Sequence, residues 1–88
     1  MAYTIRILKS AARELARLDK VTGRRIARRI TWLAQNADTM KSEGLKGELA
    51  GLFKLREGDY RIVYQILRQE KTIVIHSIGH RREVYRRK

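Results

Sequence analysis

The alternation of apolar and charged residues is most regular from Leu52 to Leu67, LFKLREGDYRIVYQIL. It continues on both sides of Gly58-Asp59, which predicts a β-hairpin with a two-residue turn. Glycine at the first central position favours a type II′ turn, because that position requires positive φ. A turn of this length also fixes the register of the two strands.

In this register Glu57 faces Tyr60, and the next pairs are Arg56 with Arg61, Leu55 with Ile62, Lys54 with Val63 and Phe53 with Tyr64. The period of two places the apolar side chains on one face and three cations, Lys54, Arg56 and Arg61, on the other. Like charges that face each other across a strand pair are destabilising. This face is therefore expected to be either a solvated basic surface or a surface that binds an anion.

Two helices are predicted before the hairpin, after a first strand from Tyr3 to Leu8. Ser10 is expected to cap a short helix that ends near Asp19 or Lys20. Its apolar stripe is formed by Ala11, Leu15 and Leu18. A longer helix is predicted to start at Thr22 or Gly23, with an apolar stripe of Ile26, Ile30, Leu33 and Ala37 and with Arg24, Arg25, Arg28 and Arg29 on its outer surface. These arginines favour either a solvated helix face or attraction of an anion.

The rest of the chain completes the predicted fold. Residues 36–46 form a connection, and Lys71 to Ile78 form a last strand. The fold class is therefore α+β: an N-terminal strand, an antiparallel two-helix hairpin and three antiparallel strands. We expect one domain over residues 1–88, with a four-stranded sheet covered on one face by the helices and uncovered on the other.

The charge of the chain indicates its class of partner. Lys and Arg total 21 against 9 Asp and Glu, a net charge of +12, which predicts a polyanionic partner and first of all nucleic acid. The chain has no cysteine and no apolar run of the roughly 20 residues that a membrane span needs. It also lacks a signal-peptide pattern, so a cytoplasmic protein without membrane contact is expected.

The two histidines, His76 and His80, do not form a metal site with an acidic cluster, so neither a metal nor a small-molecule cofactor is expected. On one strand they should point the same way, about 13 Å apart. Without a metal, RNA can be cut by attack of its own 2′-hydroxyl on the adjacent phosphate. Arginines would stabilise that phosphate, and a lysine among arginines loses its proton more readily and could act as the base. Lys54 is the lysine in this position.

The segment LKGELAGLFKLREGDYRIVYQI and the ending HSIGHRREVYRR, together with the order of elements, resemble the RelE/ParE superfamily of toxins, and specifically its RelE branch. The resemblance implies a ribosome-dependent endoribonuclease (mRNA interferase) that cuts messenger RNA in the ribosomal A site and is neutralised by an acidic cognate antitoxin. By matching positions, Lys54 resembles the general base and Arg61 the arginine that stabilises the phosphate. Arg81 resembles the arginine assigned to acid or phosphate duty, and Tyr85 the tyrosine that stacks on the substrate base.

The resemblance also sets limits and alternatives. Four further basic residues are expected to bind RNA phosphates: Arg56, His80, Arg82 and Arg86. Leu52 stands where some members carry another lysine, and His80 could partly substitute as proton donor. ParE-type relatives share the fold but inhibit DNA gyrase, and a non-catalytic basic RNA-binding protein is a further alternative. The joint presence of Lys54, Arg61, Arg81 and Tyr85 favours the ribonuclease.

Overall fold

The computed structural model describes residues 2–39, 43–44 and 51–80. Its helices are α1 (Lys9–Arg17) and α2 (Lys20–Asn36), and its strands are β1 (Thr4–Ile7), β2 (Glu43–Gly44), β3 (Phe53–Glu57), β4 (Tyr60–Leu67) and β5 (Thr72–His80). The strands form one mixed sheet in the order β1-β5-β4-β3-β2, with β1 parallel to β5 and the other neighbours antiparallel. The predicted α+β architecture is confirmed, and the two-residue β2 adds a short strand at the edge.

Both helices begin earlier than the sequence pattern predicted. Helix α2 begins at Lys20 because Asp19 is its N-cap, whose carboxylate accepts a hydrogen bond from the Thr22 backbone N–H at 3.1 Å. Helix α1 begins at Lys9, one residue before the expected cap at Ser10. The Ser10 hydroxyl instead donates a hydrogen bond of 3.4 Å to the carbonyl of His76 in β5.

The helices pack on one face of the sheet, as predicted, and bury the core there. We call this the helix-facing side and the opposite face the outer face. The helical part of the core is formed by Ala11, Ile26, Ile30, Leu33, Ala34 and Ala37, and the sheet contributes Leu55, Ile62, Tyr64, Ile73, Ile75 and Ile78. Tyr64 is fully buried, as the hairpin register requires, and its ring lies 5.8 Å from that of Phe53.

The β3–β4 hairpin has the predicted register, with Arg56 opposite Arg61 and Lys54 opposite Val63. Gly58 has φ of +61°, and Asp59 is not among the residues with positive φ, as a type II′ turn requires. The turn therefore decides which side chains of both strands reach the core and which reach the outer face.

The pairing of β4 with β5 contains a β-bulge. Val63 pairs with Ser77 and the next residue, Tyr64, pairs with Ile75, so His76 is the extra residue. Beyond Ile75, β5 has β4 on one side, and on its other side α1 supplies side-chain partners. Glu14 of α1 accepts a hydrogen bond of 2.8 Å from the Ile78 backbone N–H.

Asp38, just after α2, connects the N-terminus to the β4–β5 turn. Its carboxylate accepts a hydrogen bond from the Tyr3 hydroxyl at 2.7 Å and lies 3.8 Å from the Arg68 guanidinium and 3.7 Å from the Lys71 ammonium. The Tyr3 hydrogen bond, followed by the charges of Lys71 and Arg68, lowers the pKa of Asp38 below its ordinary value.

Replacing Gly58 by alanine should destabilise the fold by about 1 to 2 kcal/mol, because a side chain is strained at positive φ. The added Cβ would lie 3.7 Å from Arg25 Nη2, an ordinary contact, so the cost is one of backbone conformation. Gly23→Ala is the matched control within α2, where no atom outside the helix backbone lies within 4 Å, and it should stabilise by about 0.5 to 1 kcal/mol. Urea denaturation measures both, and equal effects of one sign would contradict the turn assignment.

Asp38 should make stability depend on pH in the acid range. Its pKa is lower in the folded protein than the value of 3.8 for the unfolded chain, so its stabilisation is complete above that value and disappears as the pH falls through the folded pKa. Asp38→Asn should therefore have a lower melting temperature than the unchanged protein at pH 6. The difference in melting temperature should disappear in more acidic buffer. Thermal melts across this range test it, and a difference that is independent of pH would show that the charge of Asp38 is not responsible.

Candidate nucleic-acid interface

The outer face carries the three cations that the hairpin register brings together. Lys54 and Arg56 lie on β3 and Arg61 on β4, with Arg56 and Arg61 at directly opposed positions. Opposed residues on antiparallel strands have Cα atoms about 4.5 to 5.5 Å apart, so their side chains can reach one phosphate. The period of two places Glu57 and the core residues on the other face. The predicted cation cluster of Lys54, Arg56 and Arg61 is thus present as one surface, which we call the outer cluster.

The members of the outer cluster differ in exposure. Arg56 is exposed and Lys54 half-buried, whereas Arg61 is only 9% exposed. Val63 and Val74 on the same face are 2% and 5% exposed. The middle of the outer face is therefore less exposed than the sequence led us to expect. The strands of Val63 and Val74 have neighbouring strands on either side, and Val63 lies in register between Lys54 and Ser77.

The near burial of Arg61 changes what this side chain can do. An arginine remains protonated even when water is largely excluded, and its planar guanidinium presents donors in a fixed geometry. Electrostatic attraction is also stronger in such an environment than in bulk water. Arg61 is thus suited to hold a phosphate in one orientation, while the exposed Arg56 is suited to attract it.

Glu43 of β2 is a residue near the outer cluster that the sequence pattern did not indicate. The backbone register pairs it with Lys54. The sequence assigned Glu43 to a connection, because a two-residue strand has no periodicity from which it could be found. In the backbone register, position 43 is therefore the cross-strand neighbour of the lysine expected to act as the base.

The two histidines lie on different faces of the sheet, and the expectation that they point the same way is wrong. His76 Nε2 lies 3.2 Å from Gln65 Oε1, and Gln65 has an outer-face position opposite Val74. His80 pairs with Tyr60, its ring edge-on to the tyrosine ring at 5.9 Å, on the helix-facing side. The reason is the bulge at His76, which shifts the alternation by one residue.

The other predicted site residues are placed only in part. The face alternation separates His80 from Lys54, Arg56 and Arg61, so its assignment to phosphate binding stays a prediction that the geometry does not support at the outer cluster. Four predicted residues lie outside the described part of the chain: Arg81, Arg82, Tyr85 and Arg86.

Within residues 2–39, 43–44 and 51–80, no group of three acidic or histidine side chains is arranged to hold a metal ion. No helix in this part of the chain is long and apolar enough to span a membrane.

A second basic surface lies on the helix-facing side, and its contacts were not predicted. The carboxylate of Glu57 lies 3.3 Å from Arg25 Nη2 and 4.0 Å from Arg29 Nε, which ties the end of β3 to α2. The guanidinium of Arg29 also lies 4.2 Å from the centre of the Trp32 ring. The arginine pattern of α2 was visible in the sequence, but its pairing with Glu57 depends on how the helix packs.

Comparison with known proteins finds toxins of toxin–antitoxin systems. The family model described as "ParE toxin of type II toxin-antitoxin system, parDE" matches residues 5–85. The toxin RelG of Mycobacterium tuberculosis is 34% identical over 91 residues, covering 99% of this chain and all of RelG. A chain in the crystal structure of the M. tuberculosis toxin–antitoxin complex RelBE2 superposes with a TM-score of 0.82 at 30% identity, over 91% of this chain and 92% of that one. The isolated Escherichia coli RelE toxin has the same fold, with a TM-score of 0.74 at 18% identity over 97% and 98% of the two chains.

The opposed arginines of the outer cluster should carry a cost in stability. Arg56→Glu would face Arg61 with the opposite charge, so the fold should become more stable by a few tenths to about 1 kcal/mol. Arg56→Gln, which only removes a charge, should give a smaller gain. Urea denaturation at low salt measures both, and the difference should shrink at high salt. A loss of stability with Arg56→Glu would show that Arg61 gains nothing from an acidic neighbour.

Proposed function

This chain belongs to the ParE-toxin family of type II toxin–antitoxin systems and is a RelE-like toxin, and we propose that it is a ribosome-dependent endoribonuclease that cuts messenger RNA. The observation that carries the proposal is the outer cluster, in which the hairpin register unites Lys54, Arg56 and Arg61 on one face. A cluster of this composition binds a phosphate and stabilises added negative charge on it.

In the proposed reaction, the ribose 2′-hydroxyl attacks the adjacent phosphorus and the bond to the 5′-oxygen of the next nucleotide breaks. Lys54 accepts the proton of the hydroxyl, and Arg61 stabilises the charge on the pentacovalent phosphorane. The products are a 2′,3′-cyclic phosphate and a 5′-hydroxyl, whose oxygen must gain a proton. Arg81 and Tyr85 lie outside the described residues. That Arg81 contacts the phosphate or acts as the acid, and that Tyr85 stacks on the substrate base, stay predictions.

The ribosome enters the proposal as the source of substrate positioning. Correct orientation of reacting groups can supply roughly 7 to 11 kcal/mol of the barrier. An RNA held in the A site would arrive at the outer cluster in a fixed conformation, which a free strand on an exposed sheet would not have. The proposal thus assigns binding and electrostatic stabilisation to this chain and orientation to the ribosome. It places the protein in the cytoplasm.

An antitoxin partner is part of the proposed function. The related archaeal toxin of Pyrococcus horikoshii, 27% identical, was crystallised as a RelE–RelB complex. The net charge of +12 suits an acidic antitoxin, which would reduce the self-repulsion of this chain as well as cover its cations. We propose that a cognate acidic protein neutralises the toxin by occupying the outer cluster.

The proposed role of Lys54 as base predicts that Lys54→Arg keeps ribosome binding but lowers the cleavage rate about 100-fold or more, because arginine keeps the charge yet does not release its proton. Primer extension on a defined message in purified 70S ribosomes, with single-turnover rates, measures the effect. Lys9→Arg, the same change at the exposed start of α1, is the matched control and should cut at the unchanged rate. Full activity in Lys54→Arg would reduce Lys54 to an electrostatic role.

Arg61→Gln in the same assay should also lower the cleavage rate strongly, because it removes the charge that stabilises the phosphorane. Loss in both outer-cluster variants, with retained binding, supports the nuclease. Absence of cuts with the unchanged protein would contradict the proposal, and a DNA gyrase supercoiling assay would then separate the gyrase inhibitor from a basic RNA-binding protein.

A further inference from the structure

Helix α2 concentrates more positive charge than the outer cluster does. Its 17 residues contain Lys20 and four arginines and no carboxylate. Three of the arginines, Arg25, Arg28 and Arg29, line an open cleft of about 420 Å³ together with Trp32 and Glu57. We call this the α2 cleft. A surface with this composition is costly for an isolated protein, since the charges at i, i+3 and i+4 repel each other.

Three side-chain contacts link the residues of the α2 cleft. The guanidinium carbon of Arg29 lies 4.2 Å from the centre of the Trp32 ring, a cation–π contact, and Trp32 remains 36% exposed. Glu57 contacts Arg25 and Arg29 from the end of β3. The cleft thus contains three guanidinium groups and one carboxylate, a net charge of +2, and the Arg25 side chain remains 57% exposed.

The α2 cleft and the outer cluster lie on opposite sides of the sheet. Arg56 and Glu57 are consecutive residues of β3, so their side chains point to opposite faces. Glu57 reaches α2, while Arg56 faces Arg61 on the outer face. The contacts of a nucleic acid strand with the outer cluster therefore do not include the residues of the α2 cleft.

The chemistry of the α2 cleft favours a phosphate backbone over an acidic helix. A helix docked in a groove needs apolar anchors one turn apart. The exposed large apolar residues of α2 are Val21 and Trp32, eleven residues or about 16 Å apart along the helix. The surface between them is occupied by arginines, whose forked donors match phosphate oxygens and whose planes stack on bases.

We propose that the α2 cleft binds the phosphate backbone of structured ribosomal RNA and forms a second RNA contact, independent of the outer cluster. The ribosomal source of the RNA rests on the proposed function. The cleft contributes affinity without sequence preference, because contacts to phosphate position a protein and do not read bases. In this arrangement the α2 cleft binds ribosomal RNA on one side of the sheet, and the outer cluster contacts the messenger RNA on the other side.

The test removes two exposed charges from the α2 cleft. Arg25→Ala/Arg28→Ala should weaken binding to empty 70S ribosomes about tenfold, and the slope of log K against log salt should fall by roughly 1.5 to 2, which corresponds to two lost phosphate contacts. The matched control, Arg13→Ala/Arg17→Ala, removes the same charge from exposed positions of α1 and should change both quantities much less. Thermal melts confirm that each variant is folded.

Glu57→Gln gives a result of opposite sign. It releases Arg25 and Arg29 from the carboxylate, so ribosome binding should become about threefold tighter even though the fold loses an ion pair. If the Arg25–Glu57 contact were only structural, both variants would bind more weakly. Weaker binding by Glu57→Gln would therefore overturn the proposal.

The remaining outcomes separate this proposal from the nuclease. Unchanged ribosome affinity in Arg25→Ala/Arg28→Ala, or a loss equal to that of the α1 control, overturns the α2 cleft as an RNA site. If that variant keeps its ribosome affinity and loses affinity for polyglutamate, the partner is an acidic protein and the proposal is also overturned. An unchanged protein that binds ribosomes but does not cut would refute the nuclease alone, since the binding comparison does not depend on cleavage.

Discussion

The turn at Gly58 and Asp59 is the constraint on which the rest of the structure depends. A two-residue turn permits one register, and in a strand pair the register decides the face of every side chain. Here it sends Leu55, Ile62 and Tyr64 into the core and places Arg56 directly opposite Arg61. The hydrophobic energy of the core therefore maintains the opposition of the arginines: the strands cannot slide to relieve the repulsion without exposing their apolar side chains.

Glu57 extends this constraint from the sheet to the helices. It is the last residue of β3, and its carboxylate lies between two arginines of α2. The contact is partly exposed, so its contribution to stability is small. Its importance lies in geometry, because it positions the basic helix relative to the turn. One strand end thus separates two cationic surfaces, with Arg56 directed to one and Glu57 to the other.

The sequence predicted the hairpin well because its signals are local. Alternation and a turn glycine specify the pairing of Lys54, Arg56 and Arg61 without any knowledge of the rest of the chain. The features it did not predict depend on distant partners. The bulge at His76 lies just beyond the part of β5 that pairs with β1, where α1 replaces β1 as the neighbour, and it placed His80 on the helix-facing side. The burial of Arg61 and the Arg25–Glu57 contact are likewise products of packing between segments far apart in the chain.

The hydrogen bond from Ile78 to Glu14 has a consequence for the behaviour of the protein at high concentration. Beyond β1, the free side of β5 would offer backbone groups to any extended chain, and an exposed edge of this kind is a template for intermolecular strand pairing. The carboxylate of Glu14 occupies an N–H at that edge, and the Ser10 hydroxyl occupies the carbonyl of His76. Helix α1 therefore acts as a cover against self-association, and it does so with polar side chains, so that the protection adds no apolar surface that could itself aggregate.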